Sequence, residues 1–328
     1  MLGYRFGNKA NFGDNTILSG SYQYVFGSGN TNVADYSVVG GIACGNATTA
    51  EHSFVWGSGN LVSGANSAVF GEGNIISGGG FANADHHLLA GRSNNLKSNC
   101  DYNIMGGSGN TGGGTGGLTW GAGNTHDGSA VGVGHHAVGG RDNTLAAGYY
   151  GLLFGQANVS AAEFGFGLQM GYSGTSQDTL FGAISTAAGN FGTKGDSQLT
   201  TNVVYRGQTT NNTATVIYNG ATSSNAWDLA ANDSVLVKAT VIGRKAGDAG
   251  QTAAYEVIAT FKNQGGTSTI GTTGVTKRVL NEDTGTSNYD ATLAENNTAD
   301  TWELKVTGDT GHNVNWMANV EILKLNVA

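Results

Sequence analysis

Residues 54–74 read FVWGSGNLVSGANSAVFGEGN. FVW runs into G-S-G-N at 57–60, and AVF then runs into G-E-G-N at 71–74. Successive residues of a strand point to opposite faces, so Phe54 and Trp56 share one face and Val55 takes the other. Each G-x-G-N is read as a turn, with Gly supplying positive φ and Asn tolerating it. Gly57 and Gly71 are 14 residues apart, and so are Gly13 and Gly27, and Gly107 and Gly121. A short apolar strand, a glycine turn and a return every 14 residues or so describe one coil of a β-solenoid.

Reading outward, the tetrapeptide marks turns at Gly27 to Asn30, Gly57 to Asn60, Gly71 to Asn74, Gly107 to Asn110 and Gly121 to Asn124. Degenerate copies are GRSN (91–94), GRDN (140–143) and GQAN (155–158). The spacing from Gly71 to Gly91 is longer, so the excess within 78–91 is expected to bulge as a loop. A coil this small buries little apolar surface, while both faces of its strands are apolar. Packing several chains side by side solves that problem.

Composition agrees. The chain has 328 residues, 56 Gly and no Pro, and 44 of the glycines fall in residues 1–195. Collagen is excluded, because its triple helix needs Gly at every third place and plentiful Pro. With 39% hydrophobic residues and a formal net charge of −8, the chain does not read as disordered. The 15 Lys and Arg are scattered, so no basic patch points to nucleic acid. No apolar run is long enough for a membrane helix, and the N-terminus lacks a signal-peptide core. Cys44 and Cys100 read as incidental buried thiols rather than a disulfide.

Beyond about residue 165 the repeat decays, and 166–195 reads as a neck. Residues 196–328 carry longer β-type runs, among them SVLVKATVIGRK (234–245), AAYEVIATFK (253–262) and NWMANVEILKLNV (315–327), separated by Gly, Asn, Asp and Thr. These predict a β-sandwich or jelly-roll-like module. The predicted architecture is therefore all-β: a β-roll over 1–165, a neck over 166–195 and a sandwich-like knob over 196–328.

The stretch GANSAVFGEGNIISG (64–78) resembles the head repeat of trimeric autotransporter adhesins, with Asn66, Ser67, Val69 and Gly71 at comparable places and Phe70 where that family has an aliphatic residue. The resemblance implies a trimeric left-handed β-roll, and the count of three comes from it alone. The secretion signal and membrane anchor of that family are not seen here. The stretch GDSQLTTNVVYRGQTTNNTATVIYNG (195–220), with VKATVIGRKAGDAGQTAAYEVIATFK and TWELKVTGDTGHNVNWMANVEIL, resembles a terminal module of bacteriophage tail fibres. Together the resemblances imply a homotrimeric phage tail fibre, assembled in the host cytoplasm and carried on the virion. Such a fibre contacts other tail or baseplate proteins and binds a host surface glycan, with no membrane insertion. The alternatives are a tailspike-like depolymerase, a purely structural virion fibre and a fragment of a bacterial adhesin.

Chemical motifs are sparse. GSGNTG (107–112) matches a dinucleotide-binding spacing but lies inside the repeat with no helix after it. The turns carry Asn rather than the Asp of calcium-binding repeats. His86–His87 and His135–His136 offer one imidazole each toward a three-fold axis, where a transition metal would fit; the plain alternative is loop histidines, and no metal or other cofactor is expected. Glu51, Glu72, Asp85 and Asp101 are the acids that a glycosidase pair would draw on. No catalytic residue is assigned. Trp56 and Trp120 share a slot with Phe12, Phe26 and Phe70 and predict a stacked ladder in the core or between chains. Trp302 and Trp316 begin strands and predict core. Trp227 and Tyr289 sit in polar loop sequence with Asn288 and Asp290 beside the tyrosine, the make-up of an exposed sugar-binding tip.

Overall fold

The computed structural model describes residues 9–326 and the backbone of 4–6, apart from 19–20, 78–85, 98–101, 114–115, 127–135, 146–147, 150, 161–163, 166, 174–181, 192–193, 220–226 and 248–250. Every regular element among the described residues is a strand. No helix there is long and apolar enough to cross a membrane. The chain divides into two compact units, Met1–Ala157 and Asn158–Ala328.

The first unit is a parallel β-solenoid. Lys9–Ile17 and Tyr24–Asn32 are nine-residue strands, and from Val38 to Leu145 each coil instead gives a five- or six-residue strand and a two-residue strand, as Phe54–Ser58 and Leu61–Val62 do. The long strands pair in one unbroken register, which sets Gly13 beside Gly27, then Gly41, Gly57, Gly71, Gly91, Gly107, Gly121, Gly140 and Gly155. Coil length is not constant: Gly57 pairs Gly71, but Gly71 pairs Gly91. The extra residues before His86 fall between strands and leave the register untouched; those at 78–85 lie outside the described residues.

The interior is a single file of side chains. Val25, Val39, Val55, Val69, Leu89 and Met105 come from the long strands, and Val62, Ile76 and Leu96 from the short ones. One apolar residue per strand per coil suffices, because each buries against the coils above and below. Cys44 is a free thiol in this interior, while Cys100 lies outside the described residues.

The turns are built differently from the sequence reading. The left-handed residues are the two glycines, Gly57 at φ +131° and Gly59 at φ +62°, not the asparagine. Asn60 is buried and its amide works as a ladder rung. Its Nδ2 donates to the carbonyl of Trp56 at 3.0 Å and to that of Gly71 in the next coil at 2.9 Å. Its Oδ1 accepts the backbone N–H of Asn74 at 2.8 Å and also takes that residue's Nδ2 at 3.2 Å. Asn74, Asn94, Asn110, Asn124 and Asn143 continue the pattern rung by rung.

The second unit begins with the same parallel register: Leu168–Tyr172 pairs Ile184–Ala188 and sets Gly171 beside Ala187. Ile184–Ala188 then pairs antiparallel with Ser197–Thr209. The sheet continues through Val314–Asn326, Asp233–Lys245, Thr252–Asn263 and Thr276–Glu282, all antiparallel. A smaller antiparallel sheet centres on Thr301–Thr307, flanked by Asp290–Asn296 and by Thr215–Ile217 with Trp227–Asp228. One core joins the two sheets. The larger contributes Tyr205, Val237, Val257, Phe261 and Val320; the smaller contributes Ile217, Leu293, Leu304 and Val306.

Candidate functional site

The C-terminal loop residues expected to form an exposed tip are not one. Trp227 is 1% exposed and Tyr289 is 3% exposed. The polar sequence around Trp227 hides that it pairs with Trp302 across the small sheet. Trp302 in turn packs on Tyr205 and Phe261. Tyr289 is pinned between the sheets: its carbonyl accepts the Tyr255 hydroxyl at 2.8 Å, its own hydroxyl meets His312 Nδ1 at 3.0 Å, and its ring sits edge-on to Trp316. Tyr255 also hydrogen-bonds Glu282, and burial together with that carboxylate pushes its phenol well above the usual tyrosine range.

Asn288 and Asp290 are accessible but engaged. Asn288 donates to Asp309 at 2.9 Å, and Lys277 reaches Asp290 at 2.7 Å. The Asn288 amide and the Thr310 N–H hold the Asp309 carboxyl below the usual carboxylate range. Trp302 and Trp316 lie in the core, as their positions at strand starts predict.

The accessible aromatics are on the solenoid. In the long strands, the residues one and three places before the register glycine point outward. They form a continuous apolar flank that includes Tyr24, Phe54, Leu88, Ile104, Leu118 and Leu152 in one column, and Phe12, Trp56, Phe70 and Trp120 in the other. The ladder expected from Trp56 and Trp120 is present, but on the surface of the chain and not in its core. Phe12 stacks on Phe26 at 5.0 Å, and Phe26 meets Trp56 at 6.2 Å. Trp56 reaches that far because Gly40 lies between them, where a Cβ would overlap the indole. Gly139 makes the same allowance for Trp120.

A further column stands two residues upstream. Tyr22, Tyr36, His52, Asn66, His86 and Tyr102 occupy equivalent turn positions at φ between +50° and +63°. Tyr22 stacks on Tyr36 at 4.9 Å and Tyr36 on His52 at 5.0 Å; after Asn66, His86 stacks on Tyr102 at 4.8 Å. Backbone bonds lock the column: Tyr36 N–H donates to Ser21, His52 to Asp35, Asn66 to Glu51 and His86 to Ala65, all within 3.1 Å. Sequence reading singled out His86 alone among these rings, as one of a histidine pair, because the column shares no motif with the G-x-G-N turns. Their signal was the aromatic or imidazole two places before each apolar run.

The histidine pairs divide between inside and outside. His87 is buried in its own coil while His86 is exposed. His136 is buried against His126, with ring centroids 4.1 Å apart, and His135 lies outside the described residues. Among the described residues no three His, Cys, Asp or Glu gather as a metal site. Glu51 precedes its long strand and Glu72 ends the next one, so these two acids stand at opposite ends of the flank. Asp85 and Asp101 lie outside the described residues.

No protein-family model matches the chain, and no curated protein matches it. Among solved structures, it is similar to a tailspike protein from Acinetobacter baumannii bacteriophage Fri1, a capsular polysaccharide depolymerase. The two share 8% identity and a TM-score of 0.25 over 93% of this chain and 66% of that one. It is also similar to the tailspike protein of Acinetobacter baumannii phage AM24, with 10% identity and a TM-score of 0.22 over 90% of this chain and 57% of that one. The chain thus spans less than two thirds of either protein's length.

Proposed function

We propose that this chain is a phage tail-fibre protein that binds a host surface polysaccharide as a homotrimer. The observation that carries the reading is the solenoid's apolar flank. Phe12, Phe54, Trp56, Phe70, Leu88, Ile104 and Trp120 are each at least 38% exposed in one chain. Contiguous apolar surface on this scale marks an interaction site. A flank that repeats with every coil suits association with copies of itself, because each coil then meets its own counterpart. The resemblances to trimeric adhesin heads and to tail-fibre modules supply the number three, the virion and the glycan. The C-terminal two-sheet unit is the knob of this reading. Three chains bound side by side would engage repeated surface sugars together, raising avidity by orders of magnitude without new contacts.

Sedimentation analysis of the purified full chain is expected to give three times the 33.4 kDa mass of one chain. The same material is expected to bind whole host cells and to leave their capsule intact. A monomer in solution would overturn the assembly. Clearing of capsule by the protein alone would replace binding with depolymerase activity.

A further inference from the structure

The ring column has one missing rung. Tyr22, Tyr36 and His52 form a stack at one ring per coil, as do His86 and Tyr102, and only Asn66 interrupts them. The three coils at the gap are directly hydrogen-bonded, Asn66 N–H to Glu51 and His86 N–H to Ala65. His52 and His86 are therefore two strand spacings apart, roughly 9–10 Å. Within the column, one ring fills one spacing of about 5 Å. The gap thus has the thickness of one further ring, walled by two imidazole faces, with the short Asn66 side chain at its foot.

The backbone marks the column as more than filler. A non-glycine residue at φ near +55° costs roughly 1–2 kcal/mol, and Asn bears it best. The chain holds Tyr or His there at φ +50° to +63° in five of these coils and uses Asn only at the gap. Strain of this kind collects where a side chain must be presented in one orientation. The rings are also already ordered by stacking and by backbone bonds, so a ligand need not pay for arranging them.

We infer that the gap between His52 and His86 is a ring-stacking subsite for one sugar unit of a linear glycan, with the Asn66 amide hydrogen-bonding its hydroxyls. A pyranose presents a C–H face on each side and hydroxyls at its rim, which suits two aromatic walls and an amide floor. Glu51 and Asp35 adjoin the column, and the chain carries a net charge of −8, so the glycan is neutral or contains amino sugars. This rests on the polysaccharide-binding reading and gives it an address on the solenoid.

The test is an array of neutral, amino-sugar and acidic linear oligosaccharides, probed with the full-length protein and three variants. Asn66→Tyr completes the column with a residue that Tyr36 and Tyr102 show the position accepts. It is expected to fold, with an unchanged or higher melting temperature, and to lose at least about tenfold in retention, the scale of a lost hot spot. His52→Asn removes one wall and is expected to do the same. Tyr22→Asn removes a ring that touches the far end of the stack and is expected to leave retention unchanged. If the parent protein binds no oligosaccharide, both the polysaccharide reading and the subsite fall. If the parent binds and both gap variants bind equally well, the subsite alone is overturned. Retention confined to acidic oligosaccharides, or gap variants that change oligomeric state but not retention, would also overturn it.

Discussion

Gly71 and Gly73 stand two residues apart in one turn and answer to different constraints. Gly71 lies at φ +112°, and a Cβ there would overlap the carbonyl oxygen of Gly91 in the next coil. Gly73 lies at φ +62°, where the nearest atom to an added Cβ is the Ser93 hydroxyl at 3.7 Å. Other coils already place Ala43, Ser93, Asp142 and Ala157 at the second position, with φ near +55°. Gly71→Ala is therefore expected to cost more than about 3 kcal/mol, through strain and displacement of the neighbouring coil. Gly73→Ala is expected to cost about 1–2 kcal/mol. Denaturant titration followed by circular dichroism distinguishes the two. Sequence reading treated both glycines as turn formers, and it credited the asparagine with positive φ as well. The degenerate copies GRSN, GRDN and GQAN held the better signal, since they drop the second Gly and keep the first Gly and the Asn. Trp227 is the opposite case. Its neighbours in sequence are polar, and only its pairing partner Trp302, far along the chain, makes it core. Trp227→Ala is expected to destabilise the C-terminal unit by about 3–5 kcal/mol, read by chemical denaturation.

The asparagine ladder is the element that the repeat exists to build. Each amide satisfies carbonyls that a sharp turn leaves without partners, and buried polar groups left unpaired cost about 1–3 kcal/mol each. One rung is missing. Cys44 occupies the asparagine slot after Gly41, as the register of Gly41 with Gly27 and Gly57 shows. Asn30 accepts the Cys44 N–H at 2.9 Å, but a thiol cannot pass the chain of amide bonds on to Asn60. Cys44→Asn is expected to stabilise the solenoid by about 1 kcal/mol, measured as a higher denaturation midpoint with unchanged slope. The strands themselves were legible, because the alternation of apolar-run residues such as Phe54, Val55 and Trp56 is set by backbone geometry alone. What alternation could not say is which side is the interior. The buried side carries Val55 alone and the exposed side carries two aromatics, so bulk pointed the wrong way.

At the scale of the molecule, the proposed assembly rests on the exposed flank. Its columns expose Phe12, Phe54, Trp56, Phe70, Leu88, Ile104 and Trp120 in a single chain, and apolar surface on this scale marks an interaction site. Trp56→Lys combined with Trp120→Lys puts charge into the centre of the flank while leaving the buried file of valines and leucines untouched. The double variant is expected to sediment as one chain and to keep its far-ultraviolet spectrum, whereas the parent sediments as an oligomer. The glycine content falls after residue 195, with 44 of 56 glycines before residue 196, whereas the two compact units divide between Ala157 and Asn158. Within the stretch read as a neck, the strand Ile184–Ala188 keeps the parallel register on one side and joins the antiparallel sheet on the other. No composition shift records a strand that belongs to both.

Because the register glycines from Gly13 to Gly155 face one another coil by coil, the solenoid can be cut and rejoined between two of them where the new side-chain neighbours fit. Removing residues 57–70 would bring Trp56 directly before Gly71, and the sequence would still read aromatic, Gly, acid, Gly, Asn. The joined coils would keep the glycine register, with Val55 now facing Leu89 and Trp56 facing Ala90, and the protein would be shorter by one strand spacing, about 4.8 Å. Duplicating the same segment would lengthen it by as much. The reach of such a protein is thus set by how many coils its gene carries, and can be lengthened or trimmed while the glycine register is kept.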